Sequence, residues 1–142
     1  MKNLTKFFLI FVSVCLFSGC VHVTEVGKKI WGSSIAHLEK ARTDGKTLQF
    51  ALSLDRCFEQ TEKILTDAGA LIYLKDREKK YLAAMNFKGY VDTTEVGVFF
   101  TPLEDGMTEI QVASLSPQLG EDVANLIFAG LKDEKTQQGE SR

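Results

Sequence analysis

The residue best placed for covalent chemistry is Cys20, which follows Ser18 and Gly19 at the end of an apolar run. Upstream, Lys2 and Lys6 form a short positive stretch, and Phe7 to Phe17 form an almost wholly apolar one. A charged start, an apolar middle and a small-residue end make a secretory signal. The run is too short for a membrane-spanning helix, which needs about 18 or more apolar residues to cross the hydrocarbon layer. A signal peptidase admits only small side chains just before the scissile bond. Cleavage is therefore expected between Gly19 and Cys20, which makes residues 1–19 a removed signal peptide and the Cys20 thiol the first side chain of the mature protein.

This ending resembles the lipobox of bacterial lipoproteins, whose usual form is Leu, a small residue, Gly or Ala, then Cys. Here Phe17 stands at the leucine position, with Leu16 one place earlier. In that family the cysteine receives a diacylglycerol, the signal is cut directly before it, and the new amino terminus is often acylated as well. The resemblance implies lipidation of Cys20 and a membrane reached through that anchor. Two or three acyl chains, at about 0.8 kcal/mol per buried methylene, tether a protein stably, whereas one chain is marginal. Gram-negative lipoproteins kept at the inner membrane tend to carry Asp after the cysteine. Val21 in that place implies the periplasmic face of the outer membrane.

Lipidation also settles the thiols. Cys15 leaves with the signal and Cys20 is consumed, so Cys57 has no partner for a disulfide; an ordinary secretory signal would instead leave Cys20 and Cys57 as a conceivable pair in an oxidising compartment. Cys57 lies on the stripe Leu54, Cys57, Phe58, Thr61, Ile64, Leu65 and Ala68, where a cysteine packs as a small hydrophobe.

The other candidates for chemistry have bland explanations. His22 and His37 have no Cys or carboxylate at metal-ligand spacing. The serines of "GSS" at 32–34 lack a nucleophile elbow and suit helix capping. Gly89, Gly97 and Gly106 are dispersed and make no phosphate-cradling loop; Gly97, inside a strand pattern, marks a bulge or close packing. Glu95, Glu104, Asp105 and Glu109 lack the alternating ligands of a calcium loop and read as a solvated edge. No catalytic residue, metal or cofactor is expected. Loss of Lys2 and Lys6 with the signal leaves 15 basic against 19 acidic side chains, a formal net charge of −4, so there is no electrostatic case for a nucleic-acid partner.

The elements behind these residues follow from periodicity. Residues 20–46 read as a polar tether carrying a short helix from Ser34 to Arg42, stopped by Gly45, with Ile35, Leu38 and Ala41 on one side. Such a helix is marginal alone, and Trp31 beside it should also find an apolar surface. "TLQFALSL" alternates as a strand, with Leu48, Phe50, Leu52 and Leu54 on one face. A helix started by Ser53 or Asp55 and ended by Gly69 follows. "ALIYLKDREKKYLAAMNF" reads as a hairpin, "TEVGVFFTPL" and "MTEIQVASLS" as two strands joined at "EDG", and "SPQLGEDVANLIFAGLK" as a helix opened by Ser116 and Pro117. Its apolar stripe is Leu119, Val123, Leu126, Ile127, Gly130 and Leu131. Residues 133–142 contain no hydrophobic side chain and read as a disordered tail.

Residues 47–132 thus form an α+β domain: strand, helix, four strands, helix, with both helices on one face of an antiparallel sheet. In this order, and in the stretch "SLDRCFEQTEKILTDAGALIYLKDREKKYLAAM" followed by "GMTEIQVASL", the chain resembles helix-grip domains such as those of BamC, a component of the outer-membrane β-barrel assembly machinery, and other small periplasmic lipoprotein families. No catalytic signature accompanies the resemblance. With Val96, Val98, Phe100, Ile110 and Val112 facing the helices, Phe99, Ala113 and Leu115 face away, joined by Met85 and Phe87, as an apolar patch on the open sheet face. Its occupant is either the chain's own Trp31, Ile35 and Leu38 or an envelope protein partner. The function expected is that of a non-catalytic envelope lipoprotein acting as an interaction or structural module. The alternative is a binding module for a small apolar ligand held between sheet and helices, near Phe50, Phe58, Phe100 and Phe128.

Overall fold

The computed structural model describes residues 35–139. The signal, Cys20, Trp31, the capping serines and the last three residues lie outside them. A short helix α1, residues 35–41, leads through a 3-10 turn, Arg42–Asp44, into strand β1, Lys46–Phe50. Helix α2 spans Leu54–Asp67, followed by β2, Leu71–Asp76, β3, Tyr81–Met85, β4, Val96–Pro102, and β5, Thr108–Ser114. Helix α3 closes the order at Pro117–Gly139. All strand pairs are antiparallel and the sheet order is β1-β5-β4-β3-β2. This is the α+β architecture expected, a five-stranded sheet with the two longer helices on one face.

The main core lies between that face and the helices. Leu82, Ala84, Val96, Val98, Phe100, Ile110 and Val112 point into it from the strands, meeting Cys57, Phe58 and Leu65 of α2 and Leu119, Val123, Ile127 and Leu131 of α3. The i, i+4 row of α3 makes the buried stripe, and Leu126, expected on it, sits at the rim and is 40% exposed. The two helices approach closely because Gly130 has no side chain: a Cβ there would come within 2.7 Å of Ile64 Cδ1.

Several local signals act as their chemistry demands. Ser116 Oγ accepts from the Leu119 N–H at 3.4 Å at the N-terminus of α3, and Gly69 takes a left-handed φ of 82° after α2. In the β2–β3 turn Asp76 Oδ1 accepts from the Lys79 N–H at 2.9 Å and Lys80 turns left-handed.

Three expectations are corrected. First, β1 ends at Phe50 rather than running to Leu54, because the chain bends at Ala51 and Leu52 so that Leu54 can open α2. Second, the tail expected to be disordered from residue 133 continues α3 to Gly139. Apolar residues are needed to bury a helix face but not to propagate its hydrogen bonds, and Lys132 to Gln138 contain neither Gly nor Pro. Third, Phe87 joins the helix-side core rather than the open face. Strict alternation from Tyr81 would place it with Met85, but Asn86 adopts φ 64° and breaks the period. Gly45 ends the N-terminal helical stretch as expected, after the 3-10 turn and with φ −70°; a Cβ there would meet the Val112 carbonyl oxygen at 2.8 Å.

Thr61, fully buried on α2, has a hydroxyl without a hydrogen-bond partner. A buried unsatisfied hydroxyl costs free energy that an isosteric methyl does not. Thr61→Val is therefore expected to stabilise the fold by about 1 kcal/mol in urea unfolding; a loss of stability would show that the hydroxyl is satisfied in solution.

Candidate functional site

The second face of the sheet carries its own apolar cluster. Tyr81, Ala83, Phe99 and Ala113 present it from three adjacent strands, and α1 covers it with Ile35 and Leu38. The two helical residues stand three apart, so they share the side of α1 that meets the sheet. Leu38 is fully buried, and Ile35 and Phe99 are 8% and 5% exposed. Tyr73 and Leu74 pack at the border together, although neighbours in a regular strand face opposite ways. The register shift in β2 between Ile72 and Leu74 is a bulge that allows it.

Gly97 decides how closely α1 can approach. A Cβ at this position would lie 2.9 Å from the Phe99 ring and 3.3 Å from Leu38 Cβ. The strand therefore leaves a hollow into which the Phe99 ring folds, and Leu38 packs above it. This is the close-packing role expected for a glycine inside a strand.

Arg42, just after α1, fixes its other end. Its Nε donates to Gln111 Oε1 at 2.6 Å, while Gln111 Nε2 donates to the Arg42 carbonyl at 2.7 Å. The guanidinium also lies 4.5 Å from the Phe99 ring centroid, a favourable cation–π distance. Gln111 and Phe99 are cross-strand partners of β5 and β4, so one arginine joins both strands to the helix. Arg42 was not among the expected site residues. Its spacing from Ile35 and Leu38, seven and four residues on, was the available signal.

Of the four residues named for a candidate interaction surface, Ile35, Leu38 and Phe99 are buried against one another and Trp31 lies outside the described residues. Of the two occupants considered, the chain's own Ile35 and Leu38 cover the patch, so Phe99 presents no open docking face to a partner. Leu115, expected beside it, is 67% exposed past the end of β5.

The core between sheet and helices is filled where an apolar ligand was considered. Phe58 and Phe100 pack with ring centroids 5.1 Å apart, and Phe50 and Phe128 at 5.8 Å. Neither of two hollows, of about 690 Å³ and 200 Å³, is lined by Phe58, Phe100 or Phe128; the smaller borders Phe50.

The titratable residues are dispersed as well. Glu95 precedes the start of β4 while Glu104 and Asp105 follow its end, and Glu109 accepts from Gln49 Nε2 at 3.3 Å. Among the described residues no group of three or more His, Cys, Asp or Glu is placed to hold a metal ion. The Tyr90 hydroxyl donates to Asp122, tying the β3–β4 loop to α3, and this bond pushes the phenol up from its ordinary pKa. Cys57 is fully buried, its Sγ 3.9 Å from the Leu52 carbonyl oxygen. Burial pushes its thiol up, with a hydrogen bond to Thr108 acting the other way. A thiol held protonated is a poor nucleophile.

No family model matches the chain, and no curated protein matches it. Among the described residues no helix is long and apolar enough to cross a membrane.

Two outcomes follow. Leu38→Ala is expected to cost about 2–3 kcal/mol, and Gly97→Val to push α1 off the sheet. Both should speed limited proteolysis near residues 35–45 and raise binding of an apolar dye; unchanged cleavage would argue against the docked helix. Cys57 should resist iodoacetamide in the native chain and react on unfolding, as followed by peptide mapping; rapid native alkylation would contradict its burial.

Proposed function

We propose that this protein is a non-catalytic lipoprotein of the cell envelope, held to the membrane through an acylated Cys20 and serving as an interaction or structural module. The observation that carries this reading is the sequence itself: a positive start, a short apolar run and Ser18-Gly19-Cys20 in the order that lipidation needs. The residue after the cysteine, Val21, favours the periplasmic face of the outer membrane.

The folded part is compatible with such a role. Ile35 is already seated on the sheet, so only residues 21–34 separate the anchor from the domain. The packed phenylalanines leave the apolar-ligand alternative without support from geometry.

Mass spectrometry of the mature N-terminus tests the tether. A diacylglyceryl-modified Cys20 is expected, and Cys20→Ser should move the protein from the membrane to the soluble fraction. An unmodified cysteine, or a chain starting at Val21, would contradict the reading.

A further inference from the structure

We infer that the free edge of β1 is a docking site for an extended peptide segment of a partner, which adds a strand to the sheet. The inference deepens the interaction-module reading and rests on it. Among the described residues β1 has a strand on one side only, β5.

The two edges of the sheet are treated differently. Edge strands invite pairing, and natural proteins guard them with bulges, charges or covers. Strand β2 is guarded: it carries the bulge at Tyr73, and Lys75 bridges to Glu62 of α2 at 2.7 Å. Strand β1 pairs in regular register from Lys46 to Phe50 without a bulge or proline. Its only charged residue, Lys46, lies at its start.

Both hollows border this same strand. The larger, about 690 Å³, opens at its start beside Gly45 and Lys46 and is walled by His37, Lys40, Leu115 and Glu121. The smaller, about 200 Å³, runs along Leu48 to Leu52 against Leu131. In strand addition, main-chain hydrogen bonds to the edge supply affinity, and pockets for alternate side chains supply specificity. Lys46 and Phe50 are four residues apart, about 13 Å along a strand. A segment paired with β1 would therefore place side chains two or four residues apart at the two hollows.

The lining selects the occupant. Leu48, Leu52, Leu115 and Leu131 favour bulky apolar side chains at the alternate positions. The linings carry three lysines, Lys40, Lys46 and Lys132, against two carboxylates, Asp44 and Glu121, with Lys46 already 3.6 Å from Glu121; the small surplus of positive charge favours acidic flanks. A second copy of β1 does not meet this description. Its Phe50 is 6% exposed within its own core, and its Lys46 lies 3.6 Å from Glu121.

The test is selection of a short random-sequence peptide library on the full chain, followed by hydrogen exchange with the enriched peptides bound. Enriched peptides should share apolar residues at alternate positions and acidic flanks, and should slow exchange of β1 amides but not of β2 amides. Ala51→Trp, which fills the smaller hollow from an exposed position, and Thr47→Pro, which breaks the edge, should each weaken binding about tenfold or more. Lys75→Ala on the other edge should not. Circular dichroism establishes that each variant is folded, and either β1 variant suffices. No enrichment, protection of β2, or equal binding by a folded β1 variant would overturn the proposal. So would protection, in the free chain, of the β1 amides that point away from β5, whether by self-association or by its own N-terminal segment. None of these results bears on acylation of Cys20, so the tether stands or falls separately.

Discussion

Leu38 packs against the sheet as closely as it does because β4 carries no side chain at Gly97. The rest of the architecture depends on that contact. In β3 and β4 nearly every residue is buried, on both faces of the sheet. The two long helices can cover only one of those faces. Without α1, Tyr81, Ala83, Phe99 and Ala113 would lose their cover. A helix this short does not persist alone in water, so helix and sheet face supply each other's missing surface. Arg42 adds direction to an otherwise non-directional contact, because its bonds to Gln111 and its place over Phe99 fix where the helix ends.

Covering this face changes where interaction can occur. An open apolar sheet surface would bind partners through Phe99, but here that ring is already occupied. The opposite layer is closed by paired phenylalanines, which leaves no chamber between sheet and helices at those rings. Among the described residues, the free edge of β1 and the hollows beside it stay open. Cys57 is removed from chemistry by the same packing that fills the core.

Much of this was legible from residue patterns. The alternation of Val96, Val98 and Phe100 and of Ile110 and Val112 placed the inner faces of β4 and β5 correctly. The stripe through Cys57, Phe58, Thr61 and Leu65 oriented α2, and Ser116-Pro117 located the start of α3. Periodicity failed where one residue resets it. Asn86 turns left-handed and returns Phe87 to the core, and the bulge at Tyr73 lets two neighbours share a border. It failed also where backbone propensity acts without burial, as in α3 beyond Lys132. The choice between self-coverage and a partner at Phe99 was not legible, because pattern shows that a face is apolar and not what lies on it. Arg42 was readable in principle from its spacing, but an arginine ending a helix carries no signal of the ring it will meet.

The docked helix is tested most directly by native-state hydrogen exchange of the full chain, resolved at residues 35–41. Local units of a fold open at free energies between zero and that of global unfolding. The N–H groups beyond the first turn of this helix, residues 39–41, are predicted to be protected, and to open as one unit at a lower free energy than β4 and β5. Exchange there at the rate of an unstructured peptide, with β4 and β5 fully protected, would contradict the account.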